Sequence, residues 1–375
     1  MSADANPAPG ADEAVRVDVE RLTDFGAAVL RAAGLTDEDA RTVVRMLVGA
    51  DVRGVHTHGI RYLPIYLPLL RGGAIRPDAR PRVIRETAGS AVIDADAGMG
   101  PVAADLAART AIQKARDNGF GATVLIRNSN HFGANGSYAL LCAEAGMIGI
   151  VMSNSVPVMG APGAAGKVIS NSPVAYAIPA GRGRPPILLD IALSMTAASR
   201  ILMAAARGTQ MDEPVIVQAD GTLTRDPAAY LAGGALAPLG AHKGYGLAVL
   251  VETLAGVLSG AGILGEVLQY RFHPSTPSNT GHAIIAINPE AFMEREEFEA
   301  RIGRLADEIH AAPPIPGARP LLPGEPEAAH AADTERHGLE LDAVTWSELE
   351  AVARELSLEA ALDAAFPADR EGHAG

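Results

Sequence analysis

The stretch NSNHFGANGSY at residues 128–138 places a histidine, His131, among asparagines and glycines. The apolar residues 123–126 before it are typical of a buried strand, and residues 139–143 after it are typical of a helix. In α/β proteins ligands gather at the carboxyl ends of strands, and histidine is the side chain that changes charge near neutral pH. The stretch therefore predicts a proton-transferring histidine at a strand end, with a hydrogen-bonded structural histidine as the alternative.

Strand-like and helix-like patterns alternate along most of the chain, and this alternation predicts an α/β fold. Apolar runs of strand length lie at 91–95, 123–127, 147–152, 175–178, 187–190 and 283–287, with a weaker one at 214–218. Helical periodicity is present at 19–33, 101–118, 194–206, 244–259 and 347–365. The chain before about position 75 is mostly helical in pattern, with a further helix starting at Thr36, and predicts a small helical part.

The composition limits the class of protein. The chain has 375 residues, of which 48% are hydrophobic and only 4% aromatic, so its cores must be built from small aliphatic side chains. The length suggests roughly two or three domains. The net charge of −13 disfavours a nucleic-acid partner, because phosphates require a basic surface. No apolar run approaches the ~18 residues of a membrane span, and residues 1–14 resemble a disordered tail rather than a secretory signal.

Several common site patterns are missing from the sequence. The single cysteine, Cys142, cannot form an internal disulfide; it suits the reducing cytoplasm and is expected to be a small buried residue. There is no C-x-x-C or H-E-x-x-H, and the i, i+2 spacing of His56 and His58 does not support a metal site. No G-x-G-x-x-G opens a helix after a strand, so the usual dinucleotide fingerprint is absent.

Two further polar segments contain histidines. DVRGVHTHGIRY at 51–62 lies between helical stretches, where histidines are often ordinary surface residues. GAHKGYG at 240–246 places Lys243 at the start of an apolar helix. A cation there is unfavourable unless an anion shares the site, because a helix N-terminus is already positive. This segment therefore predicts a phosphate or carboxylate ligand near Lys243.

Together these segments resemble the type 2 malate/L-lactate dehydrogenase family, which also includes ureidoglycolate dehydrogenases, diketogulonate reductases, sulfolactate dehydrogenases and piperideine-carboxylate reductases. The resemblance runs from about Val15 to Ala365. It is carried by D-x-R-G-x-x-[ST]-H-G at 51–59, N-x-x-H-F-G at 128–133, MIGI at 147–150 with SNS at 153–155, LLDIALS at 188–194 and, most specifically, PLGAHKGYG at 238–246.

The resemblance implies an NAD(P)-dependent oxidoreductase, with NAD or NADP as cofactor and an α/β fold distinct from the Rossmann type. Members reduce 2-oxo acids or cyclic imines, or catalyse the reverse reaction on a small-molecule substrate. The family pattern implies a helical part at 15–72, a catalytic part at 73–131 completed by 313–375, and a cofactor-binding part at 132–312. Members are typically homodimers with active sites near the subunit contact, so a homodimer is expected.

The resemblance also implies roles for individual residues. His131 and His58 match the two active-site histidines; we favour His131 as the proton donor or acceptor and His58 as the orienting or polarising group, with the reverse assignment open. The substrate-binding residues implied are Thr57, Arg61 and Tyr62. The cofactor contacts implied are Ser155, Asp190, Ile191, Ala192, Ser194, His242, Lys243 and, in a C-terminal loop that closes over the cofactor, Gly324 and Glu325.

The sequence departs from the family pattern near both ligands. Many relatives read H-G-x-x-R, with an arginine that grips a substrate carboxylate, but Tyr62 holds that position and Arg61 precedes it. One helical step turns a side chain by roughly 100°, so a carboxylate clamp is in doubt. Leu193 replaces the hydroxyl residue of the usual A-T-S near the expected cofactor.

Two alternatives to a 2-hydroxy acid dehydrogenase stay open. A cyclic imine reductase of a biosynthetic pathway fits the Tyr62 departure, and a nucleotide-binding paralogue without catalysis is the non-enzymatic alternative. The sequence does not fix the substrate, the stereochemistry or the choice between NAD and NADP. The basic residue for a 2′-phosphate could be Arg127, Arg182, Arg184 or Arg200.

Overall fold

The computed structural model describes residues 14–181 and 183–366, so the predicted tail lies outside the described residues except for Ala14. The α-helices are α1 (Val19–Ala32), α2 (Asp37–Val52), α3 (Leu63–Gly72), α4 (Gly100–Asn118), α5 (Asn135–Glu144), α6 (Ala198–Arg207), α7 (Pro227–Leu231), α8 (His242–Val251), α9 (Arg295–His310), α10 (Glu325–His337), α11 (Ala343–Leu356) and α12 (Glu359–Asp363). The strands are β1 (Val15–Val17), β2 (Arg82–Thr87), β3 (Ser90–Asp94), β4 (Gly121–Ser129), β5 (Ile148–Ser153), β6 (Val174–Ile178), β7 (Ile187–Ile191), β8 (Ile216–Val217), β9 (Leu223–Thr224), β10 (Ala235–Leu236), β11 (Thr280–Ile287) and β12 (Leu339–Leu341).

The chain forms two compact units. The first contains the described residues up to Arg71 and from Pro326 onwards, and the second contains residues 72–325. This grouping joins the C-terminal segment to the N-terminal helices, whereas the predicted one joined 313–375 to 73–131. The predicted division into helical, catalytic and cofactor-binding parts stays a prediction, because units defined by packing need not coincide with functional parts.

The first unit is mainly helical, as the sequence predicted. Leu22, Phe25 and Leu30 of α1 are buried at helical spacing, and α1 packs against α2. Asp18 accepts a hydrogen bond from the backbone of α1, and Thr36 does the same for α2, so both helices begin at capped ends. Strands β1 and β12 pair antiparallel and tie the two ends of the described chain together.

The second unit is built on a mixed seven-stranded sheet with the order β2-β3-β4-β11-β5-β6-β7. Only β3 and β4 are parallel neighbours; every other pair in this sheet is antiparallel. These pairings make β3, β4, β5 and β7 run in one direction and β2, β6 and β11 in the other. The carboxyl ends of β3, β4, β5 and β7 therefore lie at one edge of the sheet, where β11 begins.

Small side chains fill the second unit, as the low aromatic content predicted. Helix α4 packs on β4, and five of its alanines are fully buried: Ala103, Ala104, Ala107, Ala108 and Ala111. Cys142 of α5 is also fully buried and free, which confirms its predicted place as a small core residue. Burial raises the pKa of its thiol to about 12, so it behaves as a small apolar group.

Several helices differ from the sequence-based expectation. The helix predicted at 194–206 begins only at Ala198, because Ser194 pairs with Pro238 in an isolated bridge. The helix predicted at 244–259 is α-helical only as far as Val251, and the next six residues, Glu252–Val257, form a π-helix. The predicted C-terminal helix is divided at Ser357, which has a positive φ of 57°. Strands β2 and β12 and helix α10 were not predicted.

Candidate active site

Residues predicted to bind cofactor or substrate follow the strands that end at one edge of the second unit. His131 follows β4 and Ser155 follows β5, while Asp190 and Ile191 are the last residues of β7. Because β4, β5 and β7 run in the same direction, the sheet brings these four residues to the same edge. The sheet is mixed, but the expectation that predicted ligand-binding residues gather at the carboxyl ends of strands holds for these four residues.

The segment that carries His131 is closely packed against the start of α4. A Cβ added to Gly100 would lie 2.5 Å from the carbonyl oxygens of both Asn130 and His131, so only glycine fits there. Gly133 has a positive φ of 88°, a conformation that glycine adopts readily. The imidazole of His131 is half-buried, and its ring centroid lies 5.8 Å from that of Tyr270.

Asn130 fixes the backbone immediately before His131. Its buried side-chain amide donates to the carbonyl oxygens of Ala97 (3.1 Å) and Gly98 (3.0 Å). Its side-chain oxygen accepts a hydrogen bond of 3.1 Å from the backbone N–H of Ser278. Three separate chain segments therefore meet at this asparagine, and a rigid support of this kind is what a proton-transferring group needs.

Asp190 has a structural contact besides its predicted position along the cofactor. Its carboxylate accepts a hydrogen bond of 2.7 Å from the backbone N–H of Gly136, in the first turn of α5. A carboxylate at a helix N-terminus is electrostatically favourable. The contact ties the end of β7 to the helix that follows the His131 segment.

Backbone bonds join the segment after β7 to the start of α8. Ser194 bridges to Pro238, and the N–H of Leu239 donates to the carbonyl oxygen of Leu193 at 2.8 Å. Helix α8 begins at His242, and the residue before it, Ala241, has a positive φ of 56° and offers no side-chain cap. His242 and Lys243 are both exposed at this end. The N–H groups of Lys243 and Gly244 already donate to the carbonyl oxygens of Gly240 and Leu239, so the exposed side chains are the groups that this helix end offers to a ligand.

Leu193 is a core residue and does not present an apolar surface to a ligand. Its side chain is only 1% exposed and belongs to a buried cluster with Met159, Ile201 and Leu236. The loss of the family's hydroxyl at this position is therefore explained by packing.

The loop containing Gly324 and Glu325 packs on β7. The N–H of Leu188 donates to the carbonyl oxygen of Pro323 at 3.0 Å. The Glu325 carboxylate lies 2.7 Å from His310 Nε2, and it also accepts from the backbone N–H of Leu322. Gly324 thus lies against β7, since a Cβ added there would be 2.8 Å from Leu188, whereas the contacts of Glu325 are with His310 and Leu322.

In the first unit, the predicted residues Thr57 and His58 lie in a 3₁₀ turn, His56–His58, which is held by a buried carboxylate. Asp51 accepts from His56 Nδ1 (2.9 Å) and from the backbone N–H of Ile60 (2.6 Å). A Cβ on Gly59 would collide with this carboxylate, so the motif requires glycine there. The hydrogen bond to Asp51 raises the pKa of His56.

His58 stacks on Tyr62, the residue that replaces the arginine of many relatives. Their ring centroids are 6.0 Å apart with an interplanar angle of 14°, and Thr57 Oγ1 lies 3.1 Å from His58 Nδ1. Tyr62 is only 9% exposed, whereas Arg61 is exposed in the 3₁₀ turn Ile60–Tyr62. Burial lowers the pKa of His58, so its imidazole is neutral at pH 7.

The sequence matches the model of one protein family along nearly its whole length. The model described as malate/L-lactate dehydrogenase matches residues 17–350. The chain belongs to the malate/L-lactate dehydrogenase family.

Relatives of this dehydrogenase agree with that assignment. It is 36% identical to L-sulfolactate dehydrogenase of Methanocaldococcus jannaschii over 88% of this chain and 94% of the relative. It is 33% identical to a Δ1-pyrroline-2-carboxylate/Δ1-piperideine-2-carboxylate reductase of Pseudomonas putida, over 92% and 97% of the two chains. The solved malate dehydrogenase of Pyrococcus horikoshii superposes with a TM-score of 0.83 at 33% identity, covering 93% of this chain and 98% of that one. The predicted family and α/β fold are confirmed, and the protein is an oxidoreductase.

The dehydrogenase contains supporting residues that the sequence did not reveal. His282 on β11 is fully buried between the ends of β4 and β5. Asn154 joins β5 to β11 through its side-chain oxygen, which accepts from Gly281 N–H at 2.9 Å, and its amide also donates to the buried Glu252. A single histidine or glutamate in an apolar segment gives no sequence signal. The asparagine lies inside the recognised SNS segment, which was the only available clue.

The structure describes three of the four arginines that were proposed for a 2′-phosphate. Arg127 pairs with Asp94, and Arg184 pairs with Asp307. Arg200 is exposed on α6, and its guanidinium makes no hydrogen bond or ion pair among residues 14–181 and 183–366. Arg182 lies outside the described residues.

The described part of the chain contains neither a metal-binding cluster nor a membrane-spanning helix. No cluster of three or more His, Cys, Asp or Glu side chains there is arranged to hold a metal ion. None of the helices described is both long enough and apolar enough to cross a bilayer.

Proposed function

We propose that this dehydrogenase transfers a hydride between NAD(P) and a small 2-hydroxy or 2-oxo acid, with His131 as the group that donates or accepts the proton. The proposal is supported chiefly by the position of His131. Its half-buried imidazole lies at the sheet edge that also carries Ser155 and Asp190. In this arrangement a substrate oxygen beside the imidazole would lie next to the segments that match the family's cofactor contacts.

The residues at this edge fit a dinucleotide. The start of α8 offers the exposed side chains of His242 and Lys243, and a lysine is suited to binding a pyrophosphate. We propose that Ile191, Ala192 and Ser194 line the same dinucleotide, and that Gly324 and Glu325 close over it. When bound, the nicotinamide supplies or accepts the hydride, while the protein provides binding, orientation and electrostatics.

His131 acts as the general acid in the reductive direction. As negative charge develops on the substrate oxygen, protonated His131 transfers its proton to that oxygen. In the oxidative direction the neutral imidazole removes the hydroxyl proton. Proton transfer of this kind contributes about 10²–10⁴-fold to the rate.

His58 serves as the orienting or polarising group in this proposal, together with Thr57. Its lowered pKa keeps it neutral at pH 7, which suits a hydrogen-bonding role better than that of a second acid. Tyr62 lies against the His58 ring and restricts its orientation. Arg61 is then the group available for a substrate carboxylate.

A cyclic imine is the second candidate substrate, and the observation that favours it is Tyr62. The buried Tyr62 ring offers aromatic surface against which the ring of a cyclic imine would pack, while Arg61 would bind the carboxylate of such an imino acid, as in the main proposal. The P. putida relative is named as a reductase of two cyclic imino acids. His131 would then protonate the imine nitrogen in place of an oxygen.

A substrate and cofactor screen tests these proposals. NADH and NADPH are titrated by fluorescence, and then pyruvate, oxaloacetate, ureidoglycolate and Δ1-piperideine-2-carboxylate are screened for loss of absorbance at 340 nm. Turnover of a 2-oxo acid supports the main proposal, and turnover of the imine alone supports the second. Cofactor binding without turnover of any compound would favour the non-catalytic alternative, and Arg200→Ala tests whether that arginine confers binding of NADPH.

We also propose that the enzyme is a homodimer of the reducing cytoplasm, where its one thiol would stay reduced. Exposed apolar side chains lie along α8 and the π-helix after it: Leu247, Leu250, Val257 and Leu258. Such a stripe is typical of a surface that a partner covers, and Lys243 at its start would place the cofactor near a second copy. Light scattering should show a dimer that Leu250→Glu weakens, while Leu305→Glu, an equally exposed leucine on the charged α9, leaves it unchanged.

A further inference from the structure

His282 is a buried polar side chain at the edge where the predicted site residues gather. Its side chain is 0% exposed, and β11 holds it opposite Ser153 of β5. Burial lowers the pKa of this imidazole to about 3, so the ring is neutral at pH 7. An aliphatic side chain at such a position would avoid the cost of burying polar nitrogens. The histidine therefore needs an explanation in the bonds that it makes.

Both ring nitrogens of His282 are hydrogen-bonded to segments beside the site. Nε2 lies 3.3 Å from the carbonyl oxygen of Asn130 and 3.1 Å from Ser129 Oγ, while Nδ1 lies 2.8 Å from Ser153 Oγ. A carbonyl oxygen can only accept, so the proton of the neutral ring belongs on Nε2. Nδ1 then faces the Ser153 hydroxyl, whose oxygen also lies 2.9 Å from the carbonyl oxygen of Asn154. This arrangement binds the backbone one residue before His131.

The flat face of His282 supports the residue that follows His131. The centroid of its ring lies 3.9 Å from that of Phe132, with an interplanar angle of 13°. Phe132 is in turn stacked on Tyr138, whose hydroxyl donates to the Phe132 carbonyl oxygen. His131 is therefore held between two residues, Asn130 and Phe132, that both contact the same imidazole.

We propose that His282 is a positioning residue for His131: its Nε2–H and its ring face together fix the backbone of residues 130–132 and so direct the His131 imidazole. This inference rests on the proposed role of His131 as the proton-transfer group. A 1 Å displacement of such a group is enough to slow a reaction by about 10²-fold. His282 itself need not touch the substrate.

The first test uses His282→Phe, which keeps an aromatic ring against Phe132 and removes both hydrogen-bonding nitrogens. With a substrate that the parent turns over, we expect kcat to fall by about 10–100-fold while the dissociation constant of NAD(P)H stays within about twofold. His282→Gln, whose amide can still donate to Asn130, should recover part of the loss. Ile284→Ala is the control, because Ile284 is equally buried on the same strand; it should lower the melting temperature and leave kcat unchanged.

A double-mutant cycle separates positioning of His131 from a general effect on folding. If His282 acts through His131, adding His282→Phe to His131→Ala should lower the residual kcat by less than about threefold. An equal loss in both backgrounds would overturn the inference, as would a folded His282→Phe variant with parental kcat. If His282→Phe does not fold, Ser153→Ala removes the partner of Nδ1, together with the contacts of that hydroxyl to the carbonyl oxygens of Asn154 and Gly281, and should still slow turnover by a few-fold.

A measurement without turnover keeps the two proposals distinguishable. In protein with labelled histidine, the His131 imidazole resonances should move in His282→Phe and stay in place in Ile284→Ala. Unchanged His131 resonances in the folded variant would contradict positioning. If His131→Ala retains full turnover, the proposed function fails instead, and the resonances still decide whether His282 orients the ring.

Discussion

The two histidine segments are anchored in opposite ways. The turn His56–His58 is held by a buried acidic group, Asp51, which accepts from His56 and from a backbone N–H. The segment around His131 is held by neutral groups, the imidazole of His282 and the amide of Asn130. The neutral anchor keeps its protonation state, and so its hydrogen bonds, at any pH well above the His282 pKa of about 3, whereas the acidic anchor depends on the protonation of both Asp51 and His56. The difference places the less pH-sensitive support beside the residue proposed to change its own charge.

The largest expected difference between the two segments is in turnover. His131→Ala should lower kcat by about 10²–10⁴-fold, because it removes the general acid, with cofactor affinity retained. His58→Ala should affect substrate KM more than kcat, since His58 is proposed to orient the substrate. Steady-state kinetics and fluorescence titration of NAD(P)H measure both effects. A His131→Ala variant within about threefold of parental turnover would contradict the assignment, and a larger loss for His58→Ala would exchange the two roles.

The next largest difference is in stability. Asp51→Ala leaves the Ile60 N–H and His56 without their buried partner, and we expect it to lower the free energy of unfolding by about 3 kcal/mol. Urea denaturation followed by circular dichroism measures this. Asp24→Ala is the matched control in the same unit, because the Asp24–Arg41 pair is exposed on both sides and should matter little. Equal shifts for the two variants would show that Asp51 is not an anchor.

His282 and His56 should make contributions to stability that depend on pH with opposite signs. The pKa of His282 is lowered to about 3, so the unfolded chain binds more protons and stability falls as the pH drops from about 6.5 towards 3. His58, whose pKa is also lowered, acts in the same direction. The pKa of His56 is raised, so its contribution is complete below about pH 6.5 and is lost as the pH rises through its folded pKa.

Melting temperatures between pH 4 and 9 measure these slopes. Each histidine contributes at most about 1.4 kcal/mol per pH unit. His282→Phe should flatten the acid side of the profile, and His56→Gln should flatten the alkaline side. Parallel profiles for the parent and both variants would show that neither imidazole is linked to folding.

The smallest expected effect is in the reactivity of Cys142. This thiol lies on α5, directly after the His131 segment, and its burial raises its pKa to about 12. Iodoacetamide at pH 8 should therefore leave the folded parent unlabelled, because the thiolate is the nucleophile. Mass spectrometry should show slow labelling in His282→Phe and none in Asp51→Ala, if the two anchors act on separate units. Rapid labelling of the parent would contradict the buried environment of the thiol.

Local patterns predicted the elements whose signal lies in their own residues. The strand before His131 and the helix after it were both found, because an apolar run and a helical period are visible in the sequence. Strand β2 was missed because all of its residues are exposed and two of them are arginines. The end of α8 was also missed. The π-helix begins at the buried Glu252, which accepts a hydrogen bond from the N–H of Leu264, twelve residues away. Local periodicity contains no sign of such a contact.

The candidate site was predictable only where its residues form recognisable segments. Asn130 and Gly59 lie inside those segments, but what they contact is set by the fold: Asn130 reaches Ser278, 148 residues away. His282 lies outside every segment and pairs with Ser129 across 153 residues. Roles for Thr57, Arg61 and Tyr62 stay predictions, since a neighbouring tyrosine ring and an exposed arginine do not by themselves identify a substrate.

The direction of the strands also determines where the enzyme can be attached to a support. Because β4, β5 and β7 all end at the edge that carries His131, the connection between β6 and β7 lies at the opposite edge. Gly183 in that connection is exposed and has no neighbour within 4 Å of an added Cβ. A peptide tag or a resin tether inserted after Gly183 would therefore lie at the opposite edge from the proposed nicotinamide site and leave that edge open to diffusing metabolites.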